Sequence, residues 1–284
     1  MTIKDPADPR LSAYRSLKGK ELEKDGIFVA EGEKVVKSLL ESGCRMASCL
    51  TASDAIKRYR PVLSAMTKRG VPVYVTDGRS IESIIGFRFH KGIMAVGYCP
   101  KKFTVREALR PGKRPLLLVA LNGVNDPQNV GLIARNAAAF GADALIVDHA
   151  TYDPYYRKAI RVSMGTIFRL PVFYEKDLIS SLSRLKIDHD TRIIAATPGR
   201  GTNDIAKADL SGNICIVFGN EDKGISPGVL SITDARIRIP VSNTVDSLNV
   251  ASASAVCLYE ASRKTKPRKK IGTENVFRGK ICII

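Results

Sequence analysis

Asn129 and Arg135 stand where an α/β protein places ligand-binding side chains, just after a buried strand. They follow the apolar run 116–121 and lie on a predicted helix that Pro127 starts and Asp126 caps. Sheets of parallel strands bind ligands at the carboxyl ends of those strands. The two residues are six positions apart, so they do not share one face of the helix. They can converge only if another element closes over both.

Two later stretches have the same form, a strand that runs into a polar loop. Gly219 and Gly224 bracket Glu221, which suggests a tight loop that a ligand approaches closely, although an ordinary strand-to-helix turn fits the spacing equally well. In the third stretch, Ser247 or Asn249 can cap a following helix that is dense in alanine and serine. Taken one at a time, these are turns, caps and a close-packed helix.

The strands that lead into these stretches read as continuous apolar runs. They cover residues 116–121, 144–147, 192–196 and 214–218. Such runs predict parallel strands that are buried on both faces, and hence a doubly covered α/β sheet. The first hundred residues alternate shorter strands with helices, which predicts a separate small sheet with helices packed on it. A basic segment, 101–115, lies between the two regions and reads as a linker.

The charge balance favours a polyanionic partner. Lys and Arg number 45 against 28 Asp and Glu, a net charge of +17, which favours nucleic acid. No apolar stretch is long enough to span a membrane, and the N-terminus lacks the apolar core of a signal peptide, so we expect a cytoplasmic protein. The six cysteines form no C-x-x-C pair and the three histidines are scattered. We therefore expect no metal site and no disulfide framework.

Two common enzyme classes lack their motifs here. No G-x-G-x-x-G follows an early strand, which argues against a dinucleotide-dependent enzyme. No G-x-S-x-G occurs, which argues against a serine hydrolase of the α/β type.

Together and in order, the three stretches resemble the SpoU/TrmH family of the SPOUT methyltransferases. The family patterns are N-x-G-x-x-x-R-x-A-x-x-F-G, then G-x-E-x-x-G-I, then I-P followed by S-L-N, and each is present between Asn129 and Asn249. Residues 28–32 and 90–93 similarly resemble the substrate-binding domain of the family. The departures are few: Val241 and Asn243 stand where methionine and glycine are frequent, and Asn136 occupies a variable position.

The resemblance implies a fold and a division of the chain. We expect a C-terminal α/β domain of SPOUT type, with a parallel sheet and a deep trefoil knot, which is a rare exception to unknotted topology. A small α/β RNA-binding domain would precede it. The expected parts are 1–100 for that domain, 101–115 for the linker, 116–262 for the methyltransferase domain and 263–284 for a basic tail.

The resemblance also implies the reaction, a transfer of a methyl group from S-adenosylmethionine to a ribose 2′-hydroxyl of RNA. The family assigns the activation of the hydroxyl to the arginine that matches Arg135. A guanidinium gives up its proton reluctantly, so this residue could serve as a base or as an electrostatic stabiliser. The other catalytic candidates are Asn129, Glu221, Ser247 and Asn249. The candidates for cofactor binding are Thr197, Gly219, Ile239 and Leu248.

The expected partner is RNA, and ribosomal RNA before transfer RNA, because the separate N-terminal region resembles that of members that modify ribosomal RNA. Family members are typically homodimers, and we expect one here. Two alternatives remain open. One is a 2′-O-methyltransferase that acts on transfer RNA. The other is a catalytically silent RNA-binding or assembly protein that keeps the fold, although the intact Arg135 and third motif argue against it.

Overall fold

The apolar runs of the sequence form two separate sheets in a computed structural model of the protein. The structure describes residues 1–15, 26–86, 91–109, 115–199, 201–242 and 247–264. The chain divides into two compact units, one of residues 1–101 with 153–169 and one of 102–152 with 170–284. Residues 110–114 of the predicted linker, Asn243 and the predicted tail from residue 265 onward lie outside the described ranges.

The first unit contains a four-stranded sheet, as the alternation of short strands and helices predicted. In sequence order its strands are β1 (Ile27–Glu31), β2 (Met46–Ala52), β3 (Val73–Thr76) and β4 (Ile93–Tyr98). The spatial order is β1-β4-β2-β3. Strand β4 runs antiparallel to both of its neighbours, and β2 runs parallel to β3. Among the described residues of the first hundred, the α-helices are α1 (Ser12–Arg15), α2 (Glu33–Glu41), α3 (Ile56–Lys68) and α4 (Gly78–Ile85).

One segment of the first unit comes from far along the chain. Residues 153–169 hold the short helix α7 (Arg157–Val162) and a 3-10 helix (Thr166–Arg169), and they pack with the first hundred residues. The Phe28 ring stacks on Phe168 with centroids 5.0 Å apart, and Ser38 Oγ donates a hydrogen bond of 2.8 Å to the Gly165 carbonyl. The expected division had assigned this segment to 116–262. Its aromatic residues instead complete the core beside β1.

The second unit contains a sheet of seven strands. They are β5 (Leu117–Asn122), β6 (Ala144–Asp148), β7 (Val172–Glu175), β8 (Arg192–Ala196), β9 (Asn203–Asp204), β10 (Ile214–Gly219) and β11 (Ala235–Arg238). Their spatial order is β7-β6-β5-β10-β8-β11-β9, and every pairing is parallel. The α-helices in the described part of this unit are α5 (Val105–Ala108), α6 (Pro127–Ala139), α8 (Leu178–His189), α9 (Pro227–Ser231) and α10 (Val250–Lys264).

The central strands confirm the prediction drawn from the continuous apolar runs. All residues of β6 and β10 are buried, as are all but the last of β5, because elements cover both faces of a parallel sheet. Cys215, the second residue of β10, is fully buried, and burial raises the pKa of its thiol. Since the strands are parallel, their carboxyl ends lie along one edge of the sheet. In the pairing of β5 with β10, Asn122 lies opposite Gly219 at that edge.

Helices α6 and α10 pack against each other through a polar contact. The Asn136 side-chain amide donates hydrogen bonds of 2.9 Å to the Ala251 carbonyl and to Ser254 Oγ. Ala251 and Ser254 are buried and small, so the two helix backbones can approach closely. Within the described residues, no helix is both long enough and apolar enough to cross a membrane.

Candidate active site

Three side chains, one from each of the three sequence stretches, form a continuous chain of hydrogen bonds. Asn129 Nδ2 donates to Glu221 Oε1 at 2.6 Å, and Asn249 Nδ2 donates to Asn129 Oδ1 at 3.1 Å. Asn129 is 5% exposed, whereas Glu221 and Asn249 are exposed. Residues that lie up to 120 positions apart in sequence thus meet at one place.

Local structure explains why Asn249 lies at this position. Its Oδ1 accepts hydrogen bonds from the backbone N–H groups of Ala251 at 2.9 Å and Ser252 at 3.3 Å, so it caps helix α10. The sequence had allowed either Ser247 or Asn249 as this cap. Because the cap uses the side-chain oxygen, the amide nitrogen remains available to donate to Asn129.

The first turn of α6 orients Asn129. Asp126 caps this helix by accepting a hydrogen bond of 2.9 Å from the Gln128 N–H, and Pro127 is the first helical residue. Both features were predicted from the sequence. Asn129 therefore lies in the first turn, close to the loop that follows β5.

Glu221 lies at the tip of a tight loop that follows β10. The backbone groups of Asn220 and Gly224 exchange two hydrogen bonds of 3.0 Å, and Gly224 has a φ of +69°. A Cβ atom at position 219 would collide with the backbone of Gly224 and Ile225. Glycine at 219 is therefore required by close backbone approach within the loop. The sequence had left open whether a ligand or an ordinary turn explains the two glycines.

Arg135 and Ser247 do not join the chain of three side chains. Both are exposed, and within the described ranges no hydrogen bond or ion pair is formed by either side chain. Arg135 lies about 1.7 turns after Asn129 on α6, so the two side chains leave the helix on different faces, as expected from the six-residue spacing. Its guanidinium is thus accessible to an anionic ligand.

The four candidates for cofactor binding lie at strand ends or beside the motif loops. Thr197 follows β8, Gly219 ends β10 and Ile239 follows β11, and these are adjacent strands in the sheet. The Thr197 N–H donates a hydrogen bond of 2.9 Å to the Ile237 carbonyl, which ties the loop after β8 to β11. Leu248, next to the cap residue Asn249, is 39% exposed.

The donor chemistry of these strand ends fits S-adenosylmethionine. Its adenine needs apolar contact on the ring faces and polar partners at the ring edge. Leu248 and Val241 are large apolar side chains left exposed in the third stretch, and strand ends offer backbone N–H and C=O groups. Within the described residues, no group of three or more His, Cys, Asp or Glu side chains could hold a metal ion.

Sequence reasoning missed a second set of polar residues at the same edge. Asp148 ends β6, Asn122 ends β5 and Asn220 follows β10, and hydrogen bonds connect all three through Gly123. The available signal was their shared position, immediately at the ends of three adjacent apolar runs. Asn136 was also missed, because its variability within the family hid its contact with α10.

Residues 116–259 match the SpoU rRNA Methylase family. The chain belongs to that family. It is 31% identical to an uncharacterised tRNA/rRNA methyltransferase of Mycobacterium tuberculosis (strain ATCC 25618 / H37Rv), over 91% of this chain and 90% of the relative. It is also 31% identical to the 23S rRNA (guanosine-2′-O-)-methyltransferase RlmB of Haemophilus ducreyi, over 75% of this chain and 87% of the relative.

Solved structures share the architecture of this family member. The AdoMet-bound rRNA methyltransferase from Sinorhizobium meliloti has a TM-score of 0.80 at 25% identity, over 93% of this chain and 97% of that one. An RNA 2′-O ribose methyltransferase has a TM-score of 0.76 at 27% identity, over 93% and 99% of the two chains. The α/β fold with its parallel sheet is therefore that of known SpoU methyltransferases.

Proposed function

We propose that this protein transfers a methyl group from S-adenosylmethionine to a ribose 2′-hydroxyl of ribosomal RNA. The observation that carries the proposal is the chain of Asn129, Glu221 and Asn249, which joins all three family motifs at the carboxyl edge of the sheet. The relatives support the target, since one of 31% identity is a 23S rRNA 2′-O-methyltransferase. The AdoMet-bound structure from Sinorhizobium meliloti supports the methyl donor.

Thr197, Gly219, Ile239 and Leu248 would hold the cofactor. When bound, S-adenosylmethionine supplies a methyl group that its positively charged sulfur makes electrophilic. The chain contributes backbone hydrogen-bonding groups at the ends of β8, β10 and β11 and the exposed side chain of Leu248.

Arg135 would act on the substrate. A ribose hydroxyl is a weak nucleophile until its proton is shared or removed. The exposed guanidinium can hold the neighbouring phosphate and stabilise negative charge as it develops on the 2′-oxygen. Asn129, Glu221 and Asn249 would orient the ribose and the arginine, and Ser247, exposed two residues before the cap, would contribute a hydroxyl.

The first unit would bind RNA through contacts with its phosphate groups. It contains a groove of about 240 Å³ whose lining includes Lys34, Lys37 and Arg169. Glu41 pairs with Arg169 at 2.6 Å and with Lys37 at 3.9 Å, and no ion pair is formed by Lys34 within the described residues. Together with the net charge of +17, this groove supports binding that depends on phosphate and weakens with salt.

The proposal includes finer features of the family. These are a trefoil knot in the second unit, a homodimer, a cytoplasmic location and the division of the chain at residues 100, 115 and 262, with the segment 153–169 packed in the first unit. The packing of α10 on α6 through small residues suits a threaded segment. Val256 and Tyr259 of α10 are 37% and 49% exposed, and they offer an apolar surface to a second copy. Light scattering after size exclusion tests the dimer, which a monomer mass would contradict.

A comparison of RNA substrates tests the proposed target. Purified protein is incubated with methyl-labelled S-adenosylmethionine and with either 23S ribosomal RNA or bulk transfer RNA, both lacking the modification. We expect saturable labelling of the ribosomal RNA and background labelling of the transfer RNA. Preferred labelling of transfer RNA would favour the alternative target. Absence of saturable binding of S-adenosylmethionine by calorimetry would favour the silent RNA-binding alternative.

A further inference from the structure

The carboxylate of Asp148 is buried at the carboxyl edge of the seven-stranded sheet, where it accepts several hydrogen bonds. Asp148 is the last residue of β6 and is 8% exposed. Its Oδ2 accepts a hydrogen bond of 2.9 Å from Asn122 Nδ2. Its Oδ1 accepts from the Gly123 N–H at 3.1 Å, and from the N–H and hydroxyl of Thr151 at 2.9 and 2.7 Å. A buried carboxylate is tolerated where donors of this number replace its water.

Two of these donors lead directly to the loop that carries Glu221. Asn122 Oδ1 accepts a hydrogen bond of 2.7 Å from the Ser226 N–H, at the start of helix α9. The Gly123 carbonyl accepts a hydrogen bond of 2.8 Å from Asn220 Nδ2. Asp148 therefore orients the segment of Asn122 and Gly123. The same two residues accept hydrogen bonds from Ser226 and Asn220, which lie at the two ends of the loop that carries Glu221.

The same segment leads into the first family motif. Gly123 adopts a φ of +73°, and the chain then reaches Asp126, the cap of α6, and Asn129 in its first turn. The contact between Asn129 and Glu221 requires that the loop after β5 and the loop after β10 keep a fixed separation. Asp148, Asn122 and Thr151 form a polar layer at this edge of the sheet. Its hydrogen bonds reach Gly123 in the loop after β5 and Ser226 at the end of the loop after β10.

We infer that Asp148 is a positioning residue for methyl transfer, which acts through Asn122 and Gly123 to hold Glu221 against Asn129. Among the described residues, Thr197, Ile239 and Leu248 receive no hydrogen bond from Asp148, Asn122 or Thr151. The fourth candidate for cofactor binding, Gly219, is held by the backbone pairing of β10 with β5, which a side-chain substitution leaves in place. Loss of the carboxylate should therefore lower kcat while leaving the affinity for S-adenosylmethionine nearly unchanged. This expectation for activity rests on the proposed function.

The substitution Asp148→Asn removes the charge at constant size and creates a defined mismatch. Whichever way the new amide is turned, its NH₂ group faces a donor, either Asn122 Nδ2 or the donors of Gly123 and Thr151. Asn122 cannot turn over to compensate, because its Oδ1 already accepts from Ser226. Misplacement of catalytic groups by about 1 Å can cost about 100-fold in rate, so we expect kcat to fall by about 10- to 100-fold.

The double substitution Asp148→Asn with Asn122→Asp should rescue the activity. The new amide at 148 would accept the three donors on its oxygen and donate to the new carboxylate at 122. That carboxylate would still accept from the Ser226 N–H. Asn122→Asp alone would place two carboxylates against each other and should fail. Recovery in the double variant to within about threefold of wild-type kcat would reflect the restored pattern of donors and acceptors.

Asp143→Asn is the matched control. Asp143 precedes β6 at the opposite end of the same strand, and its Oδ2 accepts a hydrogen bond of 2.8 Å from the Leu117 N–H. The chemical change is identical, and it lies at the edge away from the motifs. We expect wild-type kcat in this variant, together with at most a small decrease in Tm.

The experiment measures kcat, KM for RNA, the Kd for S-adenosylmethionine and amide hydrogen exchange of residues 220–226 in all four variants and the wild type. Support requires that Asp148→Asn lowers kcat and leaves the cofactor Kd unchanged, and that the double variant recovers the rate. It also requires amide hydrogen exchange in this loop to be at least about tenfold faster in Asp148→Asn than in the wild type. Wild-type kcat in Asp148→Asn, an equal loss of cofactor affinity, or no rescue would overturn the inference. If the wild type transfers no methyl group, the proposed function fails, and hydrogen exchange alone decides the positioning role.

Discussion

The two edges of the seven-stranded sheet use the same residue types in different ways. At the amino edge, Asp143, Asn213 and Asp234 each stand just before a strand. Each accepts a hydrogen bond of 2.8 Å from a backbone N–H at or beside the start of a neighbouring strand. Asn213 also donates to the His189 carbonyl, and Asp234 also pairs with Lys186. At the carboxyl edge, Asn129 and Glu221 bond to other side chains and to loops. At the amino edge these bonds connect neighbouring strands. At the carboxyl edge they connect separate loops and leave charged groups exposed.

The partners of each polar side chain therefore indicate whether that side chain contributes to stability or to function. A polar side chain that bonds one neighbouring backbone amide contributes to stability and has no reason to remain accessible. At the carboxyl edge, side chains from distant loops bond one another while Glu221 and Asn249 stay exposed, so these contacts constrain the geometry around a ligand. Substitutions at the amino edge should therefore change stability alone, whereas substitutions at the carboxyl edge should lower activity.

The largest effect is expected for Arg135→Ala. Arg135 is exposed, so its removal should leave Tm within about 1 °C of the wild type, since surface substitutions change stability little. Methyl transfer should fall by about 100-fold or more, because the group that activates or stabilises the 2′-oxygen is lost. Rates under saturating RNA and cofactor check this prediction. Arg106→Ala, on helix α5, is the control, and a near-normal rate in Arg135→Ala would refute the assigned role.

Asn129→Ala should reduce both activity and stability. The substitution breaks both hydrogen bonds of the three-residue chain and frees Glu221 and Asn249. We expect a rate loss of about 10- to 100-fold from misplacement of these groups. Removal of a buried hydrogen-bonding side chain should also cost about 1–2 kcal/mol in the free energy of unfolding. Urea unfolding and initial rates measured on the same preparation test both parts, and an unchanged rate would contradict the account.

Asn213→Ala should affect stability alone. Asn213 accepts from the Leu116 N–H at 2.8 Å and donates to the His189 carbonyl at 2.7 Å, both at the amino edge. Loss of both bonds should lower the free energy of unfolding by about 1–3 kcal/mol. The rate per folded molecule should match the wild type at a temperature well below Tm. A specific loss of rate would show that the amino edge also contributes to catalysis.

The smallest effect is expected for the pH dependence of stability at Asp234. Partial burial raises the pKa of Asp234, but hydrogen bonds from Lys186 and from the Ile193 N–H outweigh it, and the pKa lies below its ordinary value of 3.8. A lowered folded-state pKa stabilises the fold above the unfolded value and loses that contribution as pH falls through the folded one. The difference in Tm between wild type and Asp234→Asn should therefore shrink as pH decreases from 6 toward about 3. A constant difference would contradict this assignment.

The sequence predicted the sheet and the start of helix α6 because these depend on local signals. Continuous apolar runs indicated β5, β6, β8 and β10, and Asp126 with Pro127 indicated the start of α6. The partners of Asn129 could not be predicted from spacing, because they come from loops about 90 and 120 positions away. The packing of residues 153–169 with the first unit was missed for the same reason.

The central claim is that this chain methylates the ribose of ribosomal RNA, and alkaline resistance tests it most directly. Ribosomal RNA labelled by the purified protein with methyl-labelled S-adenosylmethionine is hydrolysed in alkali, which cannot cleave beside a methylated 2′-oxygen. We expect the label to remain in an alkali-resistant dinucleotide, and we expect Arg135→Ala to abolish this signal. Label released as mononucleotides would place the methyl group on a base and would contradict ribose methylation.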